Sequence, residues 1–286
     1  MTTTEVSRVV LITGCSSGLG RATAIHLASK GWTVYATARR TADLADAAAA
    51  GCKVLALDVT DEDSMVAAVR TIEAEHGAVG VLINNAGYSQ SGAIEAVSLA
   101  QVRAQFDTNV FGVVRLTQLV LPKMRAQRWG RIVNLSSMGG KLVFPGGGFY
   151  HATKYALEAM SDALRFEVRG FGIDVVIVEP GLIKSGFAAA ANAKLQPGEL
   201  AGAYDAFHAA VARGTTEVYE KGPLAALAGV PEDVARTIAK AITVRRPRTR
   251  YTVSPSAKLL LAQRALLSDR AWDWMMTFNF PSPGAE

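Results

Sequence analysis

Short apolar runs alternate with longer stretches of helical periodicity along most of this chain, and that alternation limits the fold more than any other feature. Val9 to Thr13, Thr33 to Thr37, Lys53 to Leu57, Val79 to Ile83, Arg131 to Leu135 and Asp174 to Val178 read as strands. Helical patterns fall between them at 19–30, 41–50, 61–76, 98–127 and 150–170. In the last of these, Leu157, Met160, Leu164 and Val168 recur three or four residues apart and share one face. Strands separated by helices pair in parallel through right-handed crossovers. The runs are apolar throughout, as a sheet covered on both faces requires. The expectation is an α/β fold, a doubly wound parallel sheet with helices on both faces.

After Pro180 the rhythm breaks. Residues 186–222 are Ala-rich with glycine punctuation, which predicts one or two short helices in a mobile insertion. Pro231-Glu232-Asp233 opens a helix with proline near its start and acids in its first turn. Arg250 to Val253 is a candidate seventh strand, and helical patterns at 255–268 and 270–279 make a C-terminal helical extension over 255–286. No internal repeat or low-complexity linker divides the chain, so one domain is expected over residues 1–286, and half of these residues are hydrophobic, enough for one large core. A net charge of +5 favours anionic small molecules modestly and argues against nucleic acid as a partner. Cys15 and Cys52 are too few for a disulfide framework and read as reduced thiols. Neither a signal-peptide pattern nor an uninterrupted membrane-spanning run is visible, so a cytoplasmic protein without a membrane span is expected. No metal site is expected.

The first strand runs into Thr13-Gly14-Cys15-Ser16-Ser17-Gly18-Leu19-Gly20 and then a helix. Glycines there let the chain turn tightly and bring backbone N–H groups close to a phosphate, and the helix N-terminus adds partial positive charge. The spacing is Gly-x-x-x-Gly-x-Gly, not the common Gly-x-Gly-x-x-Gly, and the plain alternative is an ordinary tight turn. Gly14 to Gly18 also fits Gly-x-Ser-x-Gly, a hydrolase nucleophile elbow with Ser16 as nucleophile. That reading lacks an earlier strand for the oxyanion loop and has only His26, His76, His151 and His208 to choose a base from. A P-loop fails because no Gly-Lys-Ser/Thr follows. About twenty residues on, where an acid would read a ribose hydroxyl, the chain has Ala38-Arg39-Arg40. Guanidinium groups there suit a 2′-phosphate and favour NADP(H) over NAD(H); solvated loop charges are the alternative. Asp58, before Val59, would bond the adenine amino group or cap the next helix.

Tyr150 and Lys154 stand four apart at a helix start and share a face, with Ser137 ending the fifth strand before them. A free tyrosine, with a pKa of about 10, is a poor base at neutral pH. A neighbouring ammonium and an oxidised nicotinamide both favour the phenolate, which could then take an alcohol proton; in reverse, Tyr150 donates a proton to a carbonyl oxygen that Ser137 bonds. Alone, such a pair is more often a surface contact between successive helical turns.

In order, Thr13-Gly14-x-x-x-Gly18-x-Gly20, Asn84-Asn85-Ala86-Gly87, Asn109, Ser137, Tyr150-x-x-x-Lys154 and Pro180-Gly181 resemble the short-chain dehydrogenase/reductase family over about residues 8–190, with weaker likeness beyond. The resemblance implies a Rossmann-type fold, a dimer or tetramer, Tyr150 as acid/base and Ser137 as anchor for the substrate oxygen. It implies that Lys154 bonds the nicotinamide ribose and depresses the tyrosine pKa, and that Asn109 holds a proton-relaying water. The cofactor would meet Gly14, Ser16, Ser17, Gly18, Leu19, Gly20, Arg39, Asp58, Val59, Asn85, Ala86, Gly87, Tyr150, Lys154, Pro180, Gly181, Ile183 and Ser185, the last at a position where the family more often has Thr. The segments 14–18, 34–39 and 150–154 are similar to the branch with 17β-hydroxysteroid and retinol dehydrogenases, which implies a lipophilic alcohol or ketone. The expected function is NADP(H)-dependent alcohol/carbonyl oxidoreduction. A nucleotide-binding sensor without turnover and the Ser16 esterase are the alternatives.

Pro145-Gly146-Gly147-Gly148-Phe149 departs from the family, which usually carries larger side chains there; the glycines remove a pocket wall or add mobility. Residues 186–222, with Phe187, Tyr204, Phe207, His208 and Tyr219, would form a substrate lid. Arg245, Arg246, Arg248 and Arg250 read as a solvated basic turn. The aromatic C-terminus, Trp272 to Phe280, would pack on the domain or a partner subunit, cover the pocket or touch a membrane peripherally.

Overall fold

A computed structural model describes residues 6–195 and 202–284. In chain order the elements are β1 (Val10–Ile12), α1 (Gly18–Ser29), β2 (Val34–Ala38), α2 (Ala45–Ala49), β3 (Lys53–Ala56), α3 (Glu62–His76), β4 (Val81–Asn84), α4 (Leu99–Phe106), α5 (Gly112–Ala126), β5 (Gly130–Leu135), α6 (Gly148–Val168), β6 (Ile173–Pro180), α7 (Phe187–Ala193), α8 (Asp205–Glu220), α9 (Gly222–Ala226), α10 (Pro231–Thr243), β7 (Arg250–Val253), α11 (Pro255–Leu266) and α12 (Asp269–Thr277). The seven strands lie in the order β3-β2-β1-β4-β5-β6-β7. Every pairing is parallel, as the continuous apolar runs imply.

The two faces separate along each strand. Val10 and Ile12 point to one side, where Ala24 and Leu27 of α1 and Val234, Ile238 and Ile242 of α10 cover the sheet. Leu11 points to the other, under Met65, Val69 and Ile72 of α3 and Leu116, Val120 and Met124 of α5. A third cluster joins Met138, Leu142 and Leu182 to α11 and α12 through Ala257, Leu260, Trp272 and Met276. The aromatic C-terminus therefore packs partly on its own chain, through buried Trp272 and Met276, while Trp274 and Phe278 stay exposed. Among the described residues no helix is long and apolar enough to cross a membrane.

Three expectations change in detail. The pattern at 98–127 is not one helix: a wide π-type turn, Asp107–Phe111, separates α4 from α5. Such a turn re-aims side chains, and here it buries Asn109. The helix at 41–50 begins as a tighter 3₁₀ turn over Thr41–Leu44. Asp58 does not cap α3. Asp61 does, accepting from the N–H groups of Asp63 and Ser64, while Asp58 Oδ1 accepts from the Thr60 N–H at 2.9 Å and hydroxyl at 2.7 Å. The insertion forms α7 and α8, as the Ala-rich pattern predicts, with 196–201 outside the described residues. Both cysteines are buried and free, and burial pushes the Cys15 thiol up to about 12.

Candidate active site

Strand order reverses between β1 and β4, and a parallel sheet opens a crevice beyond the carboxyl ends of its strands at such a point. The glycine turn after β1 and Asn85-Ala86-Gly87 after β4 meet there. Thr13 joins them: its hydroxyl accepts from the N–H groups of Asn85 and Ala86, both at 3.0 Å. Asn85 Nδ2 returns bonds to the carbonyls of Thr13 at 2.8 Å and Gly14 at 3.0 Å. Gly14 has φ +71°, and a Cβ on it would come within 2.8 Å of Ala86 Cα; one on Gly20 would overlap Gly14 O and Asn85 Nδ2. Two of the glycines are thus demanded by close packing of the turn on β4.

What the turn leaves open is equally specific. Ser17 caps α1 without a side-chain bond, so the first-turn N–H groups are free of a protein cap, and Ser16 and Ser17 are exposed. Arg40 is tied to Asp43 through two bonds of 3.0 Å, whereas exposed Arg39 has no hydrogen bond or ion pair among the described residues. Of the two guanidiniums only Arg39 is uncommitted. Val59 is buried against α5, where a Cβ on Gly112 would overlap its carbonyl. His76, His151 and His208 are each bonded elsewhere, and Ser16 hydrogen-bonds no histidine, His26 included, among the described residues, so no contact supports the esterase reading.

Beyond β6, Gly181 is required by α11: a Cβ there would lie 2.6 Å from Ser254 Oγ and 2.7 Å from the Ala257 N. Ile183 turns its side chain into the core, so only its backbone can face the crevice. The Gly229 N–H donates to Leu182 O at 2.8 Å, and the Lys184 N–H donates to Gly229 O at 2.9 Å. The N–H and C=O of Ile183 between them have no partner among the described residues: one open donor and one open acceptor, side by side. Ser185 Oγ accepts weakly from the Phe187 N–H at 3.4 Å.

Ser137, Tyr150 and Lys154 converge on this crevice. Ser137 leaves the end of β5 and accepts from the Gly139 N–H at 3.0 Å. Tyr150 lies in the first turn of α6, and Lys154 Nζ is 5.8 Å from its ring centroid and donates to the Leu135 carbonyl at 2.6 Å. A Cβ on Gly87 would stand 3.1 Å from Asn109 Oδ1, so this glycine lets the segment after β4 pack closely on Asn109.

Burial pushes Tyr150 up to about 12, opposed by the Ser137 hydroxyl. Burial also pushes Lys154 down to about 8, opposed by Glu158 one turn below. Both groups lose water, and a carbonyl rather than the phenol takes the lysine's short bond. In this state Tyr150 holds its proton. Asn109 Nδ2 donates to Tyr88 O at 2.9 Å and to Thr153 Oγ1 at 3.1 Å, and Oδ1 accepts from the Tyr88 N–H at 3.1 Å, so its side-chain amide braces the segment after β4.

The aromatic residues of the insertion divide by what they touch. Phe187 packs on Tyr150 with centroids 5.5 Å apart, and Tyr219 lies close enough to Tyr150 to add to its own upward shift, which burial takes to about 12. The others tie α8 to the loop after β4. His208 Nε2 accepts from the Ala93 N–H at 3.1 Å, Tyr204 donates to Glu95 at 2.6 Å, and Phe207 packs with Ala93 and Val211. Two of the three glycines before Tyr150 lie under this packing, while Gly147 faces His151. A Cβ on Gly146 (φ +80°) would come within 2.5 Å of Val211 Cγ2, and one on Gly148 within 2.6 Å of Ile94 Cδ1.

A parallel sheet with a glycine turn at its switch point and a Ser/Tyr/Lys group beside it defines a nucleotide-binding oxidoreductase. The family model for short chain dehydrogenases matches residues 8–196. A 3-ketodihydrosphingosine reductase of Bacteroides thetaiotaomicron is 36% identical over 256 residues, covering 90% of this chain and 91% of that one. An NADPH-dependent 3-dehydrocapnine reductase of Ornithobacterium rhinotracheale is 32% identical, with 93% and 95% covered. A short-chain dehydrogenase structure from Streptomyces avermitilis superposes with TM-score 0.79 at 34% identity over 96% of both chains. A serine dehydrogenase complexed with NADP+ (26% identity, TM-score 0.74, 86% and 94% covered) and a Burkholderia phymatum short-chain dehydrogenase/reductase complexed with NAD (27%, 0.76, 98% of both) share the fold. The chain belongs to the short-chain dehydrogenase/reductase family and is an NAD(P)-dependent oxidoreductase with a Rossmann-type fold.

Proposed function

We propose that the protein is an NADP(H)-dependent reductase of a lipophilic ketone, with Tyr150 as proton donor and Ser137 as second hydrogen-bond donor to the substrate oxygen. The observation that carries this reading is the convergence of Ser137, a protonated Tyr150 and Lys154 beside the open backbone pair of Ile183. That pair suits a carboxamide, which needs one acceptor and one donor. The open N–H groups of α1 suit a pyrophosphate. Free Arg39 suits a 2′-phosphate. Asp58 keeps an oxygen for an adenine amino group. Lys154 is placed to donate to a ribose hydroxyl.

The hydride for the carbonyl carbon comes from the reduced nicotinamide. As the C–H bond forms, the carbonyl π electrons move to oxygen, the Tyr150 O–H breaks toward that oxygen, and the alcohol is released. Ser137 bonds the same oxygen as charge develops. Tyr150 keeps its proton through neutral pH, as a donor to the carbonyl oxygen must. Oxidation needs the phenolate, and so needs the positive charge of oxidised nicotinamide close by. The kcat for carbonyl reduction should therefore show no alkaline limb due to Tyr150 until well above the ordinary tyrosine value of about 10. A pH profile of kcat falling through neutrality, and unchanged by replacing Lys154, would assign the acid elsewhere.

Phe187 sets an apolar ring against Tyr150, and two relatives of this chain are named 3-ketodihydrosphingosine reductase and 3-dehydrocapnine reductase. A long-chain 3-keto amine is therefore the substrate class to try first. Residues 186–222 act as the lid, in a single catalytic domain.

Replacing Arg39 with Asp is expected to shift the ratio of kcat/KM for NADPH over NADH by about 10²-fold toward NADH, since one charge-assisted pair is lost and a repulsive carboxylate gained. Steady-state kinetics with both nucleotides checks it; an unchanged ratio would mean that another group reads the 2′ position.

A further inference from the structure

The residue after Tyr150 has no part in the reaction as written, yet it is among the most constrained polar side chains near the site. His151 is only 6% exposed. Its Nε2 accepts from the Phe144 N–H at 3.1 Å, which leaves the ring hydrogen on Nδ1, 2.9 Å from the Gly139 carbonyl. Burial holds the imidazole below its usual pKa, opposed by that carbonyl, so the ring stays neutral and keeps both bonds. Gly139 passes the constraint on, because its own N–H donates to Ser137 Oγ at 3.0 Å. The ring meets Tyr150 edge-on at 5.7 Å and Phe144 at 6.0 Å. The surrounding chain is shaped to admit it. A Cβ on Gly139 would come within 2.6 Å of Nδ1, and one on Gly147 within 3.0 Å of Nε2.

We infer that His151 is a positioning residue: it ties the segment that follows Ser137, at Gly139 and at Phe144, to the Tyr150-bearing helix, so that the two hydroxyls stay aimed at one substrate oxygen. Ser137 sits on a loop and Tyr150 on a helix, and without a fixed link the distance between them would vary. A misplacement of about 1 Å at a reacting centre can lower a rate by about 10²-fold. The inference rests on the assignment of Ser137 and Tyr150 made above.

The test compares His151→Ala, His151→Asn and His151→Gln, with Ser137→Ala alone and combined with His151→Ala. Each is read for kcat, KM, NADPH affinity and Tm. Asn places an amide N–H near the Nδ1 position and can keep the Gly139 bond; Gln reaches the Nε2 position and can serve only Phe144. The expected result is a kcat loss of about 10-fold or more for Ala at unchanged NADPH affinity, with most of it recovered by Asn and less by Gln. Adding His151→Ala to Ser137→Ala should cost little further, because the two act through one hydroxyl. A wild-type kcat in His151→Ala, equal losses in Asn and Gln that simply follow Tm, or full additivity with Ser137→Ala would each overturn the inference. Should the Ala variant not fold, the Asn and Gln pair decides. Wild-type turnover in Ser137→Ala would instead overturn the underlying assignment, and this inference with it; a slow Ser137→Ala beside a normal His151→Ala would overturn only the latter.

Discussion

Tyr150→Phe is expected to lower kcat for carbonyl reduction by about 10²–10⁴-fold, the range that general acid catalysis contributes, while NADPH affinity stays within about twofold. The substitution removes one oxygen and its proton from a half-buried ring. The ring remains to pack against Phe187 at 5.5 Å and His151 at 5.7 Å, so the fold should be kept. Single-turnover kinetics with saturating NADPH, alongside a fluorescence titration of the nucleotide, checks both halves. A variant that binds NADPH and turns over normally would remove Tyr150 from the reaction.

Gly20→Val is expected to abolish nucleotide binding and to destabilise the protein by roughly 3 kcal/mol, the upper part of the range for overpacking a filled interior. A Cβ there would overlap Gly14 O and Asn85 Nδ2 and stand 2.9 Å from the Gly14 carbonyl carbon. Two of these three atoms are backbone, inside a turn already held by Thr13 and Asn85, so no side-chain rotation relieves the clash. Relief requires the turn to lift off β4, which would scatter the N–H groups at the start of α1. Thermal melts with and without NADPH should show a lower Tm and no ligand-induced rise. A wild-type melt with a normal NADPH response would mean that the turn is looser than its geometry implies.

The sheet was legible in the sequence because burial on both faces makes each strand an unbroken apolar run, and Arg250 to Val253 could be read as a strand even on an edge. The glycine turn and the Ser137, Tyr150 and Lys154 group were legible because each depends on a few residue types at short, fixed spacing. Features set by segments remote in sequence were not. The wide turn at Asp107–Phe111 follows from Asn109 reaching Tyr88 and Thr153, and no local pattern announces it. Gly146 and Gly148 are small because Val211 of α8 and Ile94 of the loop after β4 press on them from segments remote in sequence. Arg39 and Arg40 look alike in sequence; only Asp43 tells them apart, by engaging Arg40. The upward push of burial on Tyr150 was not legible either, because burial is a property of the assembled fold, whereas the lysine four residues on is visible in the sequence.

The most direct measurement follows an isotope. The protein is mixed with NADPH deuterated on the transferable position of nicotinamide C4 and with 3-ketodihydrosphingosine or a shorter 3-keto amine, and the product is read by mass spectrometry. Deuterium on the new carbinol carbon, with one NADP+ formed per alcohol, is the predicted result. Tight NADPH binding with no deuterium delivered to that ketone or to any of a panel of lipophilic carbonyl compounds would contradict it, and would mark the chain as a nucleotide-binding protein that does not turn over.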